Sequence, residues 1–306
     1  MTTTTAPLRT HRSQPNAGRS AWRRFFKSGR EDSPFKLTLI HLALILCCCA
    51  AVYPVLRVLS VSLRPGDRLL STSLAIIPPD ATFQAFVTVL TEKEFLLWLW
   101  NSLIITCATA IIGVMLAATS AYAFSRWRFL GREPGMVFLL ATQMIPAPML
   151  MVPIYLLAIK LGLTQTYRGL VIAYAVTAVP FSIWILKGYY DTIPRDLEQA
   201  AMIDGASPIG TFWRIILPLS TPALAIVFLF NFMTAWSDYL LARVMIASKE
   251  ALWTWPLGLQ AFQSQFQTQW GMFSAASIMV MIPVMALFLY SSKWLISGLT
   301  LGSVKG

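Results

Sequence analysis

Charged side chains are scarce in this sequence, and acidic ones are scarcer than basic ones. Only 12% of the 306 residues are charged, with 13 Asp and Glu against 24 Lys and Arg, whereas 57% are apolar. A soluble domain carries about 25% charged residues, so this composition excludes an ordinary soluble enzyme. The apolar content also excludes a disordered chain. The composition therefore predicts a polytopic membrane protein.

Metal-ligating and catalytic patterns are also missing. Three cysteines are consecutive (Cys47, Cys48 and Cys49), Cys107 is remote, and none has a metal-ligand spacing. His41 lies about two helical turns before Cys48, but packing is a better interpretation of this pair than a metal site. There is no nucleophile-elbow motif, no zinc-protease motif and no ATP-binding P-loop. We therefore predict no catalytic residue, no metal site and no cofactor bound by this chain.

The apolar residues are concentrated in six long runs. A helix needs ~20 mostly apolar residues to cross the hydrocarbon core of a bilayer. Continuous runs such as 103–118 exclude membrane barrel strands, which alternate apolar and polar residues. The sequence therefore predicts an all-α protein with six transmembrane helices. The six predicted spans are residues 37–56, 97–124, 135–158, 169–187, 221–242 and 273–296.

The basic residues indicate how the spans are oriented. Sixteen of the 24 Lys and Arg fall on one set of flanks, and eight of these lie in residues 1–36. Basic residues accumulate on the cytoplasmic side of membrane proteins, so both termini are predicted to be cytoplasmic. The same rule explains the net charge of +11 without a nucleic-acid partner. In the tail, Trp22 and Phe25 interleave with Arg23 and Lys27, which predicts an anchor on anionic membrane lipid.

One inner connection, residues 188–218, is too long for a simple turn. Pro194 is suited to open a first helix, because proline is tolerated in the first turn. Gly205 is suited to end that helix, because glycine readily adopts a positive φ. Ser207 can cap a second helix that has Pro208 at its first position. The sequence therefore predicts a helical hairpin in this connection.

The residue spacing gives each of these two helices a distinct face. Small alanines on the first would allow a partner backbone to approach closely, and large apolar side chains on the second would form a stripe. Two interpretations remain open. The hairpin either lies on the membrane or packs under its own bundle, or it docks on a cytoplasmic partner. The first face comprises Leu197, Ala200, Ala201 and Asp204, and the stripe comprises Ile209, Phe212, Trp213 and Ile216.

This connection resembles the signature loop E-A-A-x3-G-x9-I-x-L-P of binding-protein-dependent ABC importer permeases. The glutamate of that signature falls on Gln199, which keeps hydrogen bonding but lacks the charge, although Glu198 precedes it. Further stretches between residues 101 and 306, including Asn101, Ser102 and residues 121–126, resemble the smaller permease subunit of maltose/maltodextrin-type importers. The six positions that match the signature are Ala200, Ala201, Gly205, Ile215, Leu217 and Pro218.

The resemblance, which covers residues 101–306, implies a type I ABC importer permease in the bacterial inner membrane. The predicted organisation of the chain is a cytoplasmic basic tail (1–36), a first span and outer loop (37–96), a permease core (97–297) and a cytoplasmic C-terminal tail (298–306). The implied partners are a second permease subunit, an ATPase dimer that holds ATP and Mg, and an extracytoplasmic solute-binding protein that delivers a sugar. Residues 189–218 would be the coupling loop. The implied ATPase contacts are Glu198, Gln199, Ala200, Ala201, Asp204, Gly205, Phe212, Trp213, Ile215, Leu217 and Pro218.

A second connection, residues 253–273, is rich in amides and aromatic rings, which suit sugar hydroxyls and ring C–H groups. In the maltose-type importers that it resembles, the loop at this place enters the cleft of the binding protein. The alternative interpretation is a polar loop with interfacial aromatics. The candidate binding-protein contacts are Gln260, Gln263, Gln265, Phe266, Gln267 and Trp270.

Two polar residues in the fifth predicted span are candidates for a translocation pathway. Asn231 and Asp238 are seven residues apart and would share a helix face. Polar groups at membrane depth are costly, so they face a pathway or pair with another helix, and both remain open. A secondary transporter and an ABC permease for a non-sugar solute remain as alternative functions.

Overall fold

The computed structural model describes residues 34–67, 76–263 and 268–303. It divides the chain into two compact units, Met1–Arg57 and Val58–Gly306. The described part of the first unit is helical and belongs to α1. The predicted lipid anchor around Trp22 lies outside the described residues, as does the end of the C-terminal tail beyond residue 303.

The second unit is built from helices, and within the described ranges it contains no β-strand, which confirms the all-α prediction. Short 3-10 turns lie at Pro65–Asp67 and Glu250–Leu252. The helices are α1 (Pro34–Ser62), α2 (Gln84–Thr91), α3 (Phe95–Arg126), α4 (Arg132–Thr142), α5 (Ala147–Lys160), α6 (Tyr167–Thr192), α7 (Asp196–Ile203), α8 (Pro208–Leu219), α9 (Thr221–Ser237), α10 (Leu240–Ile246), α11 (Trp255–Gln260) and α12 (Trp270–Ser303).

Four of the described helices, α1, α3, α6 and α12, are each long and apolar enough to cross a membrane. Two further spans require that a bent pair counts as one, since α4 and α5 meet at 102° and α8 and α9 at 77°. The prediction of one continuous helix over 135–158 is therefore wrong. Pro146 explains the break, because it lacks an N–H and disfavours a helical conformation at the preceding residue. The count of six spans stays a prediction.

The predicted helix over 221–242 is also interrupted. α9 ends at Ser237, and Asp238 adopts an extended conformation with ψ 130° before α10 begins at Leu240. No proline or glycine marks this break in the sequence. Asp238 therefore lies at a helix junction, and the expectation that it shares one helical face with Asn231 is wrong.

α3 lies at the centre of the second unit, where it packs against α6 and α9. Small buried residues on α3 allow this close packing, as is common between membrane helices. A Cβ added at Gly113 would lie 2.7 Å from the Asn231 amide nitrogen on α9, so the backbones meet closely there. The buried small residues of α3 are Ala110, Gly113, Ala117, Ala118 and Ala121.

Candidate functional site

α7 and α8 form the helical hairpin predicted for the inner connection. α7 begins two residues after Pro194 and is followed by Gly205 at φ +86°, a left-handed conformation that suits glycine. The Ser207 hydroxyl accepts a hydrogen bond from the Gly210 N–H at 3.1 Å and so caps α8. The turn and cap residues predicted for the hairpin are thus confirmed.

The predicted apolar stripe of α8 is divided between two faces. A π-helical turn over Phe212–Ile216 changes the angular spacing of the side chains. Phe212 and Ile216 are 5% and 0% exposed and belong to the core of the bundle, whereas Ile209 and Trp213 are 73% and 45% exposed. The expectation that these four side chains form one continuous stripe is therefore wrong. Only its exposed half is accessible on this chain.

The predicted face of α7 that carries the small alanines is also divided between a buried and an exposed side. Ala201 and Glu198 lie on the inner side of α7 at 7% and 6% exposure. Ala200 and Leu197 lie on the outer side and are exposed. The alanine that a partner could approach is therefore Ala200.

Glu198 is the buried carboxylate of α7, and its contacts lie within this chain. Its Oε2 accepts a hydrogen bond from the Tyr122 hydroxyl at 2.8 Å, and its Oε1 pairs with the Arg126 guanidinium. The Glu198 and Arg126 side chains are 8% and 7% exposed, so the ion pair is shielded from water. Sequence reasoning placed Glu198 among the partner contacts, whereas the structure ties this carboxylate to the last turn of α3.

A second group of polar contacts surrounds this ion pair. Arg126 also donates to the Ile193 carbonyl oxygen at 3.1 Å, and Arg195 donates to the Ser125 carbonyl oxygen at 3.1 Å. The Ser125 hydroxyl donates to Asp191 at 2.6 Å. The segment that leads from α6 into the hairpin is therefore bonded to the end of α3 at three points.

The tip of the hairpin, by contrast, is accessible. Ile203 is 86% exposed and Met202 is 46% exposed, next to the exposed side chain of Gln199. These apolar and amide groups can pack into a complementary cleft but supply little charge. Among the remaining predicted contacts, Asp204, Gly205 and Pro218 are exposed, and Ile215 and Leu217 are half-buried.

Asn231 is fully buried where α3, α6 and α9 cross. Its Oδ1 accepts a hydrogen bond from the Ser182 hydroxyl at 3.0 Å, and its side-chain nitrogen faces Gly113. This geometry matches the interhelical pairing that the sequence left open for Asn231.

Asp238 has a different environment, at the junction between α9 and α10. Its Oδ2 accepts hydrogen bonds from the Tyr174 hydroxyl at 2.9 Å and from the N–H groups of Leu241 and Ala242 at 3.1 Å each. Asp238 thus caps α10. It also lines a cavity of about 230 Å³, together with Gln143 at the break between α4 and α5.

This cavity joins two interrupted helices, and its wall combines polar and apolar groups. Thr177 and Thr234 contribute hydroxyls, whereas Met151 and Phe230 contribute apolar surface. Such a wall can hold a hydroxyl-bearing solute by hydrogen bonds and apolar contact. Within the described ranges, no group of three or more His, Cys, Asp or Glu could hold a metal ion.

The amide-rich connection is described except at residues 264–267, which include Gln265, Phe266 and Gln267. Gln263 and Thr268 form an isolated antiparallel bridge on either side of this gap. Gln260 accepts a hydrogen bond from the Tyr239 hydroxyl. Trp270 is half-buried at the start of α12. Gln260 and Gln263 are thus both exposed at the base of the loop.

The far end of α3 carries a polar joint that sequence reasoning did not single out as a site. The Asn101 side-chain nitrogen donates to the carbonyl oxygens of Ala251 at 3.0 Å and Trp253 at 2.9 Å, and its Oδ1 accepts from the Tyr167 hydroxyl at 2.6 Å. The Ser102 hydroxyl oxygen accepts from the Trp255 N–H at 2.8 Å. These bonds fasten residues 251–255 to α3. A signal was present, since a span that opens with adjacent polar residues needs partners for them.

The chain matches one family model over residues 109–299, described as "Binding-protein-dependent transport system inner membrane component". It is 35% identical over 295 residues to the maltose/maltodextrin transport system permease protein MalG of Salmonella typhimurium, covering 90% of this chain and 98% of that protein. It is 35% identical over 268 residues to the maltodextrin transport system permease protein MdxG of Bacillus subtilis, covering 87% and 95%.

Two other similarities extend this comparison. The diacetylchitobiose uptake system permease protein DasC of Streptomyces coelicolor is 34% identical over 256 residues, which covers 83% of this chain and 92% of that protein. A chain from the crystal structure of a bacterial ABC transporter involved in the import of the acidic polysaccharide alginate superposes with a TM-score of 0.74 at 24% identity, covering 88% of this chain and 100% of that chain. The latter similarity supports the fold alone.

Proposed function

Because the chain belongs to the family of binding-protein-dependent transport system inner membrane components, we propose that it is the membrane-spanning permease subunit of an ATP-driven sugar importer. In this proposal it crosses the bacterial inner membrane six times, with both termini in the cytoplasm. It pairs with a second permease subunit. ATP and Mg are held by a separate ATPase dimer.

The observation that carries this proposal is the two-sided hairpin formed by α7 and α8. Its inner side is fastened to α3 by Glu198, and its outer side exposes Ile203 at 86%. A lever needs this combination, since one end must be rigidly attached and the other must offer a surface to the part that moves it. ATPase closure would push on the exposed tip, and the attached base would transmit that movement to the spans.

Gln199 is the exposed residue at the signature glutamate position. We propose that it meets the ATPase through neutral hydrogen bonds. The neighbouring carboxylate of Glu198 is already paired with Arg126, and releasing it would leave a buried charge uncompensated. At position 199 the contact with the ATPase would therefore rest on hydrogen bonds, beside the apolar packing of the tip, and not on an ion pair.

The substrate class is proposed from the relatives, whose names refer to maltose, maltodextrin and diacetylchitobiose. The amide-rich loop around Gln263 would face a solute-binding protein. The cavity beside Asp238 would line part of the pathway. The alternative is an ABC permease for a non-sugar solute. Ligand binding to the solute-binding protein that co-purifies with the complex would separate the two.

Photo-crosslinking from the hairpin tip tests the proposed partner. A photoreactive residue at Ile203 is expected to capture an ATPase polypeptide in the purified complex. The same residue at Ile282, which is 63% exposed on α12, is the control and should capture none. Equal capture at both positions, or capture at neither in an assembly that still transports solute, would contradict the proposal. A secondary transporter would bring down no ATPase.

Substitution of the turn tests the coupling itself. Gly205→Pro imposes a φ near −65° on a residue at φ +86°, so the hairpin cannot keep its shape. We expect loss of ATP-driven uptake while the protein still inserts into the membrane. Ala201 is unsuitable for this test, because it is 7% exposed and a bulky side chain there would disturb the packing of the hairpin itself. Normal uptake by the Gly205→Pro variant would contradict the assignment.

A further inference from the structure

The end of α3 receives contacts from both helices of the hairpin within a single turn. Glu198 of α7 bonds to Tyr122 and Arg126. Phe212 of α8 packs on the Tyr122 ring with centroids 4.8 Å apart. Tyr122 is thus the residue on which the two hairpin helices converge, through a hydrogen bond on one side and a ring contact on the other.

We propose that Tyr122, Arg126 and Glu198 form a joint that makes the hairpin and the end of α3 move as one body, with Glu198 as its positioning residue. This inference rests on the proposed function, because a joint matters only if the hairpin is moved. It assigns Glu198 to force transmission inside the permease, distinct from the partner contact made by the hairpin tip.

Force could also pass along the backbone from α8 into α9, but this route is less direct than the contacts of the hairpin with α3. α8 contains a π-helical turn and then bends by 77° into α9. Helices kink at π-helical turns, so this route is not a straight, continuous rod. The contacts to α3 are direct, charged and shielded from water, which makes hydrogen bonds stronger. Movement of the hairpin is therefore expected to reach α3 first.

The joint also fixes the rotation of α7. Two carboxylate oxygens are held by two different side chains, so Glu198 cannot pivot about a single bond. Arg126 continues to the Ile193 carbonyl oxygen in the segment that precedes α7, which fastens the start of that helix as well. Losing the charge on either partner should therefore loosen the angle between hairpin and α3 without dissolving the hairpin.

The test measures the number of solute molecules imported per ATP hydrolysed by the complete complex. The sugar probes are maltose and diacetylchitobiose. Glu198→Gln keeps the shape and hydrogen-bond acceptor of the side chain but removes its charge. Because a neutral amide bonds to Arg126 and Tyr122 more weakly than a carboxylate does, we expect the solute-per-ATP ratio to fall about tenfold while ATP hydrolysis continues. Lys187→Gln is the matched control, since it removes the more exposed ion pair that Lys187 forms with Asp191 on α6.

Spin labels give a readout that does not depend on transport. In a variant without the native cysteines, labels at Thr119 on α3 and Ile203 on the hairpin should give one narrow distance that nucleotide does not change. Glu198→Gln should broaden that distance, and the exchange Arg126→Glu with Glu198→Arg should narrow it again. If Glu198→Gln does not fold, Tyr122→Phe removes only the hydroxyl and should broaden the distance less.

Three results would overturn the joint: an unchanged distance in Glu198→Gln and Tyr122→Phe, a distance that changes with nucleotide in the unaltered chain, or an equal loss of coupling in Lys187→Gln. Failure of the proposed function would look different. An unaltered chain that brings down no ATPase would contradict the importer assignment, whereas the label distances would still report whether Glu198 holds the hairpin on α3.

Discussion

The two ends of α3 are fastened to their neighbours by different chemistry. At the hairpin end, the contacts are charged, with Arg126 and Glu198 in a shielded ion pair. At the opposite end, the contacts are neutral, with the Asn101 amide holding two carbonyl oxygens and one tyrosine hydroxyl. Both ends join α3 to segments that are distant in sequence. The same helix is thus held by charge at one end and by amides at the other.

The difference indicates which end of α3 can move together with its neighbour and which end is held in place. A neutral joint is the less costly one to bury, but it depends on several short bonds in fixed positions. Packing makes the neutral end tighter still, since Gly258 lies directly against the Trp98 ring. A charged pair that is shielded from water makes stronger hydrogen bonds, so it can keep the hairpin fixed on α3 while both move. The hairpin end is therefore suited to transmit movement, and the amide end to resist it.

The largest expected effect comes from removing one charge at the hairpin end. Arg126→Ala would leave the Glu198 carboxylate buried without its partner, which costs about 3–5 kcal/mol for such pairs. The apparent free energy of unfolding, measured by SDS titration in mixed micelles, should fall by that amount. The double variant Arg126→Met with Glu198→Leu should lose much less, because no uncompensated charge remains. A single variant as stable as the double one would remove the distinction between the two ends.

The next effect belongs to the tight packing at the amide end. A Cβ at Gly258 would lie 2.1 Å from atoms of the Trp98 ring, so Gly258→Ala should destabilise the chain by about 3 kcal/mol, the upper end of the usual range for overpacking. Gly188→Ala on α6 is the control, because nothing lies within 4 Å of its Cβ position. Thermal unfolding of the purified variants should show a shift for the first only. Adding Trp98→Leu to Gly258→Ala should recover part of the lost stability, because the smaller side chain leaves room for the new methyl group.

The hairpin was the part of the site most open to prediction, because its determinants are local. Gly205 ends α7 and Ser207 caps α8 through contacts within a few residues. The inward direction of Glu198 was not predictable in this way, since Arg126 lies 72 residues earlier in the chain. The π-helical turn at Phe212–Ile216 was not predictable from the sequence either. No periodicity in the sequence marks this turn, which lies where Phe212 and Ile216 are buried in the bundle.

The spans show the same division between local and distant determinants. Pro146 was a visible signal for the break between α4 and α5. No such signal exists at Asp238, where the junction is held by Tyr174, 64 residues away. Asn101 likewise finds its acceptors about 150 residues later, at Ala251 and Trp253. Sequence patterns thus locate polar residues in a span but not the groups that they bind.

A moderate effect is expected from the amide joint itself. Asn101→Ala would leave the carbonyl oxygens of Ala251 and Trp253 without their donor, at a cost of about 2 kcal/mol in the free energy of unfolding. Thr119→Ala is the control, because its hydroxyl is exposed and bonds only to carbonyls of its own helix. The SDS titration should place the control within about 0.5 kcal/mol of the unaltered chain. An equal loss in both variants would mean that the joint adds nothing to the helix.

The smallest effect compares one helix cap near each end. Ser207 caps α8 in the exposed hairpin through the Gly210 N–H, whereas Thr166 caps α6 beside the amide joint, accepting from the Gly169 N–H at 3.0 Å and donating to the Leu163 carbonyl oxygen at 2.7 Å. Ser207→Ala should cost about 1 kcal/mol, the typical value for a lost cap, and Ser207→Gly only a few tenths.

Thr166→Ala should cost more than Ser207→Ala, up to about 2 kcal/mol, because it removes two bonds from a partly buried site. If the two ends of α3 differ as inferred, the loss of each cap should affect a different property of the protein. Thr166→Ala should lower the unfolding midpoint and leave the ratio of solute to ATP unchanged. Ser207→Ala should lower the ratio of solute to ATP, although it costs less stability than Thr166→Ala, because a frayed α8 loosens the hairpin end of α3. Equal ratios in the two variants would show that stability alone, and not the position of the cap, governs coupling.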